Sequence, residues 1–326
     1  MGTRIHVGLA GYPVAHSLSP CMHHAVYEAL GLDWEYTCYP CHDEQAFSEL
    51  LAHAATPSSG FVGLNVTMPY KQNAHASADR IDGSTARIAR AVNVLTFEPS
   101  EDASRVLIAG TNTDGAGVVQ FLKTEAQLAL SGISVVICGT GPTSASIIVE
   151  LVLAGADSIT VLGRERARVR SFCDRLSSML RDIVPMATAE TRQSPAPAAP
   201  SEAMAACRLE AATYTDNKEV EQALSGATLL IDATPVGMAT GDLSVIPASL
   251  LESRHTVFDV VYGHGETHLI HEARARGAHA YDGLGMLVEQ AALTIEAWTA
   301  SQGISCVVSR ALMRQAACSE IEKRSL

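Results

Sequence analysis

No uninterrupted apolar run in the 326-residue chain approaches the ~20 residues of a membrane-spanning helix. The amino terminus, Met1-Gly-Thr-Arg-Ile-His-Val-Gly8, carries a positive charge, but no apolar segment follows it, so no secretory signal is expected. Positive charge is scarce overall. The 23 Lys and Arg against 35 Asp and Glu leave a formal charge of −12, which argues against nucleic acid and anionic membrane surfaces as partners. The same field leaves a small anionic ligand open, because a local basic pocket can outweigh it. The expectation is a cytoplasmic protein, monomer or homodimer, whose eight cysteines are reduced thiols. A second C-x-x-C is also missing. Cys38-Tyr-Pro-Cys41-His42 has the form of a haem-attachment site, but that chemistry needs export, and no partner pair completes a zinc site. His268-Leu-Ile-His271-Glu272 has the wrong order for a metalloprotease helix, so no metal is expected. There is no internal repeat.

What is present is enough for two domains with buried cores: 47% of the residues are hydrophobic and 18% charged. Residues 5–10 alternate and end in Gly11, as a first strand does. Ser19-Pro20 reads as an N-cap followed by proline at the first helical position, with Gly31 as the stop. Strands are expected at 34–39, 60–66, 91–97 and 105–110, and a helix at 43–53. That alternation implies a mostly parallel sheet. A helix over 115–127 leaves this first region. A continuous apolar run at 133–138 then reads as a strand buried on both faces. It is followed by a glycine turn, a helix over 144–154, a strand over 158–162 and a helix over 165–180: a βαβ unit. Gln193-Ser-Pro-Ala-Pro-Ala-Ala-Pro-Ser201 has no core pattern, and the surrounding 186–208 reads as a surface insertion. Strand-like runs return at 228–233 and 256–261, and helices at 284–300 and 304–323 close the chain.

Two segments carry chemistry. Asn65-Val-Thr-Met-Pro-Tyr-Lys71 and Asn112-Thr-Asp-Gly115 each set one ionisable residue among amide and hydroxyl side chains after a strand-like run. Lys71 and Asp114 form a candidate proton-transfer pair, and the Asn and Thr side chains suit a polyhydroxylated ligand. Asp114 precedes a helix and can cap it as well. The turn Gly139-Thr-Gly141-Pro142-Thr143-Ser144 has dinucleotide-binding spacing, with Ser144 in the third glycine position. Backbone N–H groups at the following helix start can hold a pyrophosphate. At the end of the second strand, Leu162-Gly-Arg164-Glu165-Arg166-Ala-Arg168 offers no acid for a ribose, while Arg164 and Arg168 can clamp a 2′-phosphate. NADP is therefore expected, with NAD possible through Glu165. Together these segments point to oxidation or reduction of a small polar substrate.

Several motifs in one order resemble the shikimate/quinate dehydrogenase family. They are Gly11-Tyr-Pro-Val-Ala-His-Ser17-Leu-Ser19-Pro-Cys-Met-His23, the Asn65–Lys71 and Asn112–Gly115 segments, Ala91-Val-Asn93, Ala233-Thr234-Pro-Val-Gly-Met238 and Asp282-Gly283-Leu-Gly-Met-Leu-Val-Glu-Gln290. The likeness covers nearly the whole chain except the Pro/Ala-rich insertion. It implies NADPH-dependent, reversible reduction of 3-dehydroshikimate to shikimate, in aromatic amino acid biosynthesis. It implies an α/β substrate domain over 1–114, completed by helices from 284–326, and a Rossmann-like cofactor domain over 115–283, with substrate in the cleft between them. Ser17 and Ser19 match residues holding the substrate carboxylate, with Tyr262 close by. Thr67, Asn93 and Gln290 match ligands of the ring hydroxyls, with Asn65 near them, and Lys71 and Asp114 match the catalytic pair. Gly139, Gly141, Pro142, Thr143, Ser144, Arg164, Arg168, Thr234 and Gly283 match the cofactor side. The chain departs from the family pattern at Arg90 (commonly Gly), at Gly163-Arg-Glu165 (commonly Asn-Arg-Thr), at Asp232 (commonly Asn) and at Gly263-His264 (commonly Asn-Pro). Alternatives left open are an NAD-linked quinate/shikimate dehydrogenase, oxidation of aminoshikimate in a secondary pathway, and a non-catalytic sensor on the same fold.

Overall fold

The computed structural model describes residues 5–102, 105–190, 207–239 and 241–324. The core of the Pro/Ala-rich stretch lies outside them. The chain divides into two compact units, Met1–Gly117 with Leu287–Leu326, and Val118–Met286.

The first unit is built on β1 (Ile5–Gly11), α1 (Ser19–Leu30), β2 (Trp34–Pro40), α2 (Glu44–Ala54), β3 (Phe61–Val66), α3 (Lys71–Ser77), β4 (Arg80–Ile81), α4 (Ser84–Ala89), β5 (Val94–Pro99) and β6 (Val106–Thr111). The strands lie in the order β2-β1-β3-β5-β6-β4. β2, β1 and β3 pair in parallel, as do β4 and β6. β5 runs antiparallel to both its neighbours, an exception to the parallel expectation. The short 100–105 connection accounts for the β5–β6 pairing, because a parallel crossover needs a dozen or more residues. Ser19 is not the N-cap of α1: Leu18 holds that position, and the Ser19 N–H donates to the Ser17 hydroxyl at 3.1 Å. Gly31 ends the helix in the left-handed region, as expected.

One face of this sheet packs Phe47, Leu51, Leu64, Val66, Tyr70, Leu95 and Phe97 together. Phe47 stacks on Tyr70 with ring centroids 4.7 Å apart. Near the other end of the chain, α10 (Leu284–Ser301) sets Trp298 against Gly63 of β3, and its indole N–H donates to the Leu95 carbonyl of β5 at 3.0 Å. A Cβ on Gly63 would lie 2.0 Å from that indole nitrogen, so only glycine admits Trp298. α11 (Arg310–Arg324) packs against α1, and Arg324 donates to the carbonyls of His16 and Ser17 at 2.8 and 3.3 Å.

The second unit contains β7 (Ser134–Cys138), α6 (Pro142–Leu153), β8 (Ser158–Gly163), α7 (Arg166–Glu190), β9 (Arg208–Thr213), α8 (Asn217–Ser225), β10 (Leu229–Asp232), β11 (Thr256–Asp259), α9 (His268–Ala275) and β12 (His279–Tyr281). All its strands are parallel, in the order β12-β11-β10-β7-β8-β9. This is the doubly wound order of dinucleotide-binding sheets, with its switch point between β7 and β10. Val136, Leu162, Val220, Leu230, Val257 and Leu269 fill its core. β9 escaped the sequence reading because it is a half-exposed edge strand, Arg-Leu-Glu-Ala-Ala-Thr, with no apolar run. The final helix of the unit division, α5 (Asp114–Thr124), begins in the first unit and continues into the second.

Candidate active site

Lys71 opens α3 directly after the turn leaving β3. Its carbonyl accepts the Val92 N–H at 2.9 Å, which stitches it to the segment carrying Asn93. Its ammonium pairs with Asp114 Oδ2, although 43 positions separate the two in sequence. Both side chains are nearly buried, 13% and 6% exposed. Asn93 Nδ2 donates to the other carboxylate oxygen at 2.8 Å, and Asn93 Oδ1 accepts the Thr113 N–H at 2.8 Å. Asp114 is the first residue of α5 rather than its cap. The Asn112 side chain accepts the Asp114 N–H at 3.0 Å and donates to the Ala91 carbonyl at 2.9 Å. That division of labour leaves the Asp114 carboxylate to Lys71 and Asn93. An ammonium has three donors, so Lys71 keeps two after binding Asp114.

Asn65 lies beside this pair, donating to the Asn93 carbonyl at 3.3 Å. Thr67 sits at the end of β3, half-buried, with its N–H on the Ala10 carbonyl at 2.9 Å. Ser17 and Ser19 share one tight turn at the start of α1. Because Ser17 Oγ accepts there, its own hydrogen remains to be donated. Gln290 is buried on α10 and donates to its own helix at the Leu287 carbonyl, 3.0 Å away. Lys71, Asp114, Asn93 and Asn65 are thus joined by hydrogen bonds. Ser17, Ser19, Thr67 and Gln290 belong to the same unit, and Tyr262 to the second.

In the second unit the glycine turn leaves β7 with Gly139 at φ 110°, a left-handed conformation that favours glycine. Gly141 caps α6, Pro142 opens it, and Thr143 and Ser144 complete its first turn. A Cβ on Gly141 would meet nothing, so the backbone there faces open space. A helix start with no side-chain cap and free approach fits a pyrophosphate. At the end of β8, Arg164 and Arg168 are exposed, whereas Arg166 between them is captured by Glu219. Glu219 also accepts the Thr213 N–H at 2.9 Å, and the Arg164 carbonyl accepts from the Thr213 hydroxyl at 3.3 Å. The residues able to meet a 2′-phosphate therefore stand on a braced loop. Across the switch point, the Thr234 N–H donates to Asp232 Oδ1 at 2.9 Å. Gly283 admits no side chain, since a Cβ would lie 2.1 Å from the Val260 carbonyl oxygen.

Asp232 and Asp259 end neighbouring strands in register. Burial first, and then the like charge of Asp259, pushes Asp232 up to about 7, despite its hydrogen bonds from Thr234. Burial also raises Asp259, which accepts from the Val261 N–H and the Thr267 hydroxyl at 3.0 and 2.7 Å. A carboxyl whose pKa rises on folding from 3.8 keeps its proton when the unfolded chain releases it. Stability therefore falls as the pH climbs through that interval, and the full cost stands above the folded value. Asp232→Asn keeps the acceptor for Thr234 and removes the charge. It should raise stability at pH 8 by on the order of 1–3 kcal/mol, or roughly 3–10 °C in Tm, with the gain vanishing below the ordinary carboxyl pKa. Thermal melts of both proteins across that pH range check this. A gain independent of pH would show that the charge is not the cause.

Known proteins resemble this chain over nearly its whole length. The family described as shikimate dehydrogenase substrate binding domain matches residues 9–95. The NADP(+) shikimate dehydrogenase of Methanopyrus kandleri is 33% identical over 94% of this chain and 94% of its own length. The chain belongs to the shikimate dehydrogenase family. The crystal structure of the Thermus thermophilus shikimate 5-dehydrogenase, with NADP(H) and shikimate, superposes on this family member with a TM-score of 0.75. That pair shares 26% identity over 99% of this chain and 100% of the other. Quinate dehydrogenase from Corynebacterium glutamicum, in complex with NAD, matches at TM-score 0.77 and 25% identity, covering 97% and 99%. Among the described residues no helix is long and apolar enough to cross a membrane, and no cluster of three or more His, Cys, Asp or Glu could hold a metal ion.

Sequence reasoning passed over the residues that hold the site together. Asn112 stood inside a quoted motif without a role. Arg324, which grips the Ser17 turn, and Thr294, which meets Asn65, gave no local signal, because their partners lie hundreds of positions away.

Proposed function

We propose that this family member is a shikimate dehydrogenase that interconverts 3-dehydroshikimate and shikimate with NADP. The observation that carries the proposal is the nearly buried Lys71–Asp114 pair with Asn93 on the second carboxylate oxygen. A bound nicotinamide cofactor would supply the hydride chemistry, and in the reducing direction the substrate's C3 carbonyl oxygen must gain a proton. Lys71, an ammonium with two uncommitted donors, gives that proton, and the neutral amine takes it back when the alcohol is oxidised. Asp114 holds Lys71 in place and presents an acceptor to the substrate. Proton transfer of this kind contributes about 10²–10⁴ in rate. Ser17 and Ser19 would offer hydroxyls to the carboxylate, and Asn65, Thr67, Asn93 and Gln290 would serve the ring hydroxyls. On the cofactor side the α6 start with Gly139, Gly141, Pro142, Thr143 and Ser144 receives the pyrophosphate. Arg164 and Arg168 would take the 2′-phosphate, and Thr234 and Gly283 would complete the cofactor side.

A second reading, an NAD-linked quinate dehydrogenase, draws on Glu165 beside Arg164 and on the NAD-bound relative. Steady-state oxidation of shikimate and of quinate, each with NADP⁺ and NAD⁺, separates the two. The expected result is activity with shikimate and NADP⁺ at least about tenfold above the other three combinations in kcat/KM. Dominant quinate activity with NAD⁺ would favour the second reading, and silence in all four assays would overturn both.

A further inference from the structure

Asn65 is 6% exposed, and its amide is held on three sides. Its nitrogen lies 3.3 Å from the Asn93 carbonyl oxygen and 3.4 Å from Thr294 Oγ1. A carbonyl can only accept. The Thr294 hydroxyl gives its hydrogen to the Gln290 carbonyl at 2.9 Å, so towards Asn65 it can also only accept. The amide must therefore present N–H to both. Its oxygen turns the other way, to the Tyr36 hydroxyl, which donates at 2.9 Å. This is the shortest of the three contacts and the one that most constrains the amide. Tyr36 itself is 2% exposed. Its ring lies on that of His23, centroids 4.0 Å apart, and His23 is tied to the Tyr27 hydroxyl at 2.9 Å. The donor is thus mounted on a rigid aromatic cluster rather than on a loop.

We infer that Tyr36 is a positioning residue that fixes the Asn65 amide so that it offers the substrate one acceptor lone pair and no donor. With both N–H groups spent and one lone pair taken by Tyr36, that single acceptor is all Asn65 has left. An acceptor recognises a ring hydroxyl through its hydrogen and gives no help to a carbonyl at the same position. Tyr36 thereby acts on substrate affinity through Asn65, while the proton transfer at Lys71 proceeds without it. This inference rests on the proposed substrate binding at Asn65.

The test compares Tyr36→Phe, Asn65→Ala and the double variant in shikimate oxidation at saturating NADP⁺. Tyr36→Phe deletes only the hydroxyl. The expected result is a KM for shikimate raised about five- to tenfold with kcat changed by less than about twofold. The double variant is expected to match Asn65→Ala alone, because a residue acting through another adds nothing once that one is gone. A wild-type enzyme that oxidises shikimate, paired with an unchanged KM in Tyr36→Phe, would overturn the inference. So would KM effects that multiply in the double variant. A fall in kcat and Tm with unchanged KM would make Tyr36 a purely structural residue. A wild-type protein inactive on shikimate would instead remove the proposed function itself.

Discussion

Lys71→Ala is expected to lower kcat for shikimate oxidation by about 10²–10⁴ while moving the substrate KM by no more than a few-fold. The reason is geometric. Lys71 is placed by its own backbone, through the Val92 N–H on its carbonyl, and by Asp114, which Asn93 and Asn112 hold independently. Removing the amine leaves that frame standing, so the proposed substrate contacts at Asn93, Thr67 and the Ser17–Ser19 turn are kept. What disappears is the proton donor. Lys71→Arg sharpens the point. It keeps a positive charge beside Asp114, but a guanidinium does not release its proton near neutrality, so it should remain slow. Steady-state kinetics in both directions check the pair of variants. Equal losses in affinity and turnover would assign Lys71 to binding, and an active Lys71→Arg would assign its role to charge alone.

The same geometry shows what could be read from sequence. The strand β3 and its delivery of Asn65 and Lys71 follow from a short apolar run ending in polar residues. The glycine turn is legible because strand and helix patterns flank it closely. α3 and α4 were not anticipated, because at seven and six residues they are too short to display a helical stripe. α4 ends at Arg90 with φ 50°, a conformation easiest for glycine, so the local signal for its stop is absent too. Pairing across the fold is the larger gap. Nothing local to Asp114 shows that Asn112 relieves it of capping. Nor does anything local to Tyr36, which reads only as the inward residue of an alternating strand, show that its hydroxyl ends on Asn65. Such contacts are set by strand order and register, which alternation alone does not determine.

Arg164→Ala is expected to raise the KM for NADPH by about tenfold to a hundredfold and to leave that for NADH within about twofold. The estimate follows from losing one charge-assisted hydrogen bond, about 1.5–3 kcal/mol. Of the arginines that follow β8, Arg164, Arg166 and Arg168 differ in what holds them. Arg166 is committed to Glu219, which in turn holds the end of β9. Arg168 is exposed on the first turn of α7. Arg164 is exposed at the loop itself, and its backbone is tethered through the Thr213 hydroxyl, so truncating the side chain leaves the loop in place. Glu165, the only acid in this turn, would favour an unphosphorylated ribose and repel a phosphate. Arg164, together with Arg168, must outweigh it for NADP to be preferred, and Arg164, at the loop itself, is expected to carry the larger share. Measuring both cofactors with wild type, Arg164→Ala and Glu165→Gln tests this balance. Parallel rises for NADPH and NADH in Arg164→Ala would mean that the arginine supports the loop rather than the phosphate. A gain for NADPH in Glu165→Gln would show the opposing carboxylate directly.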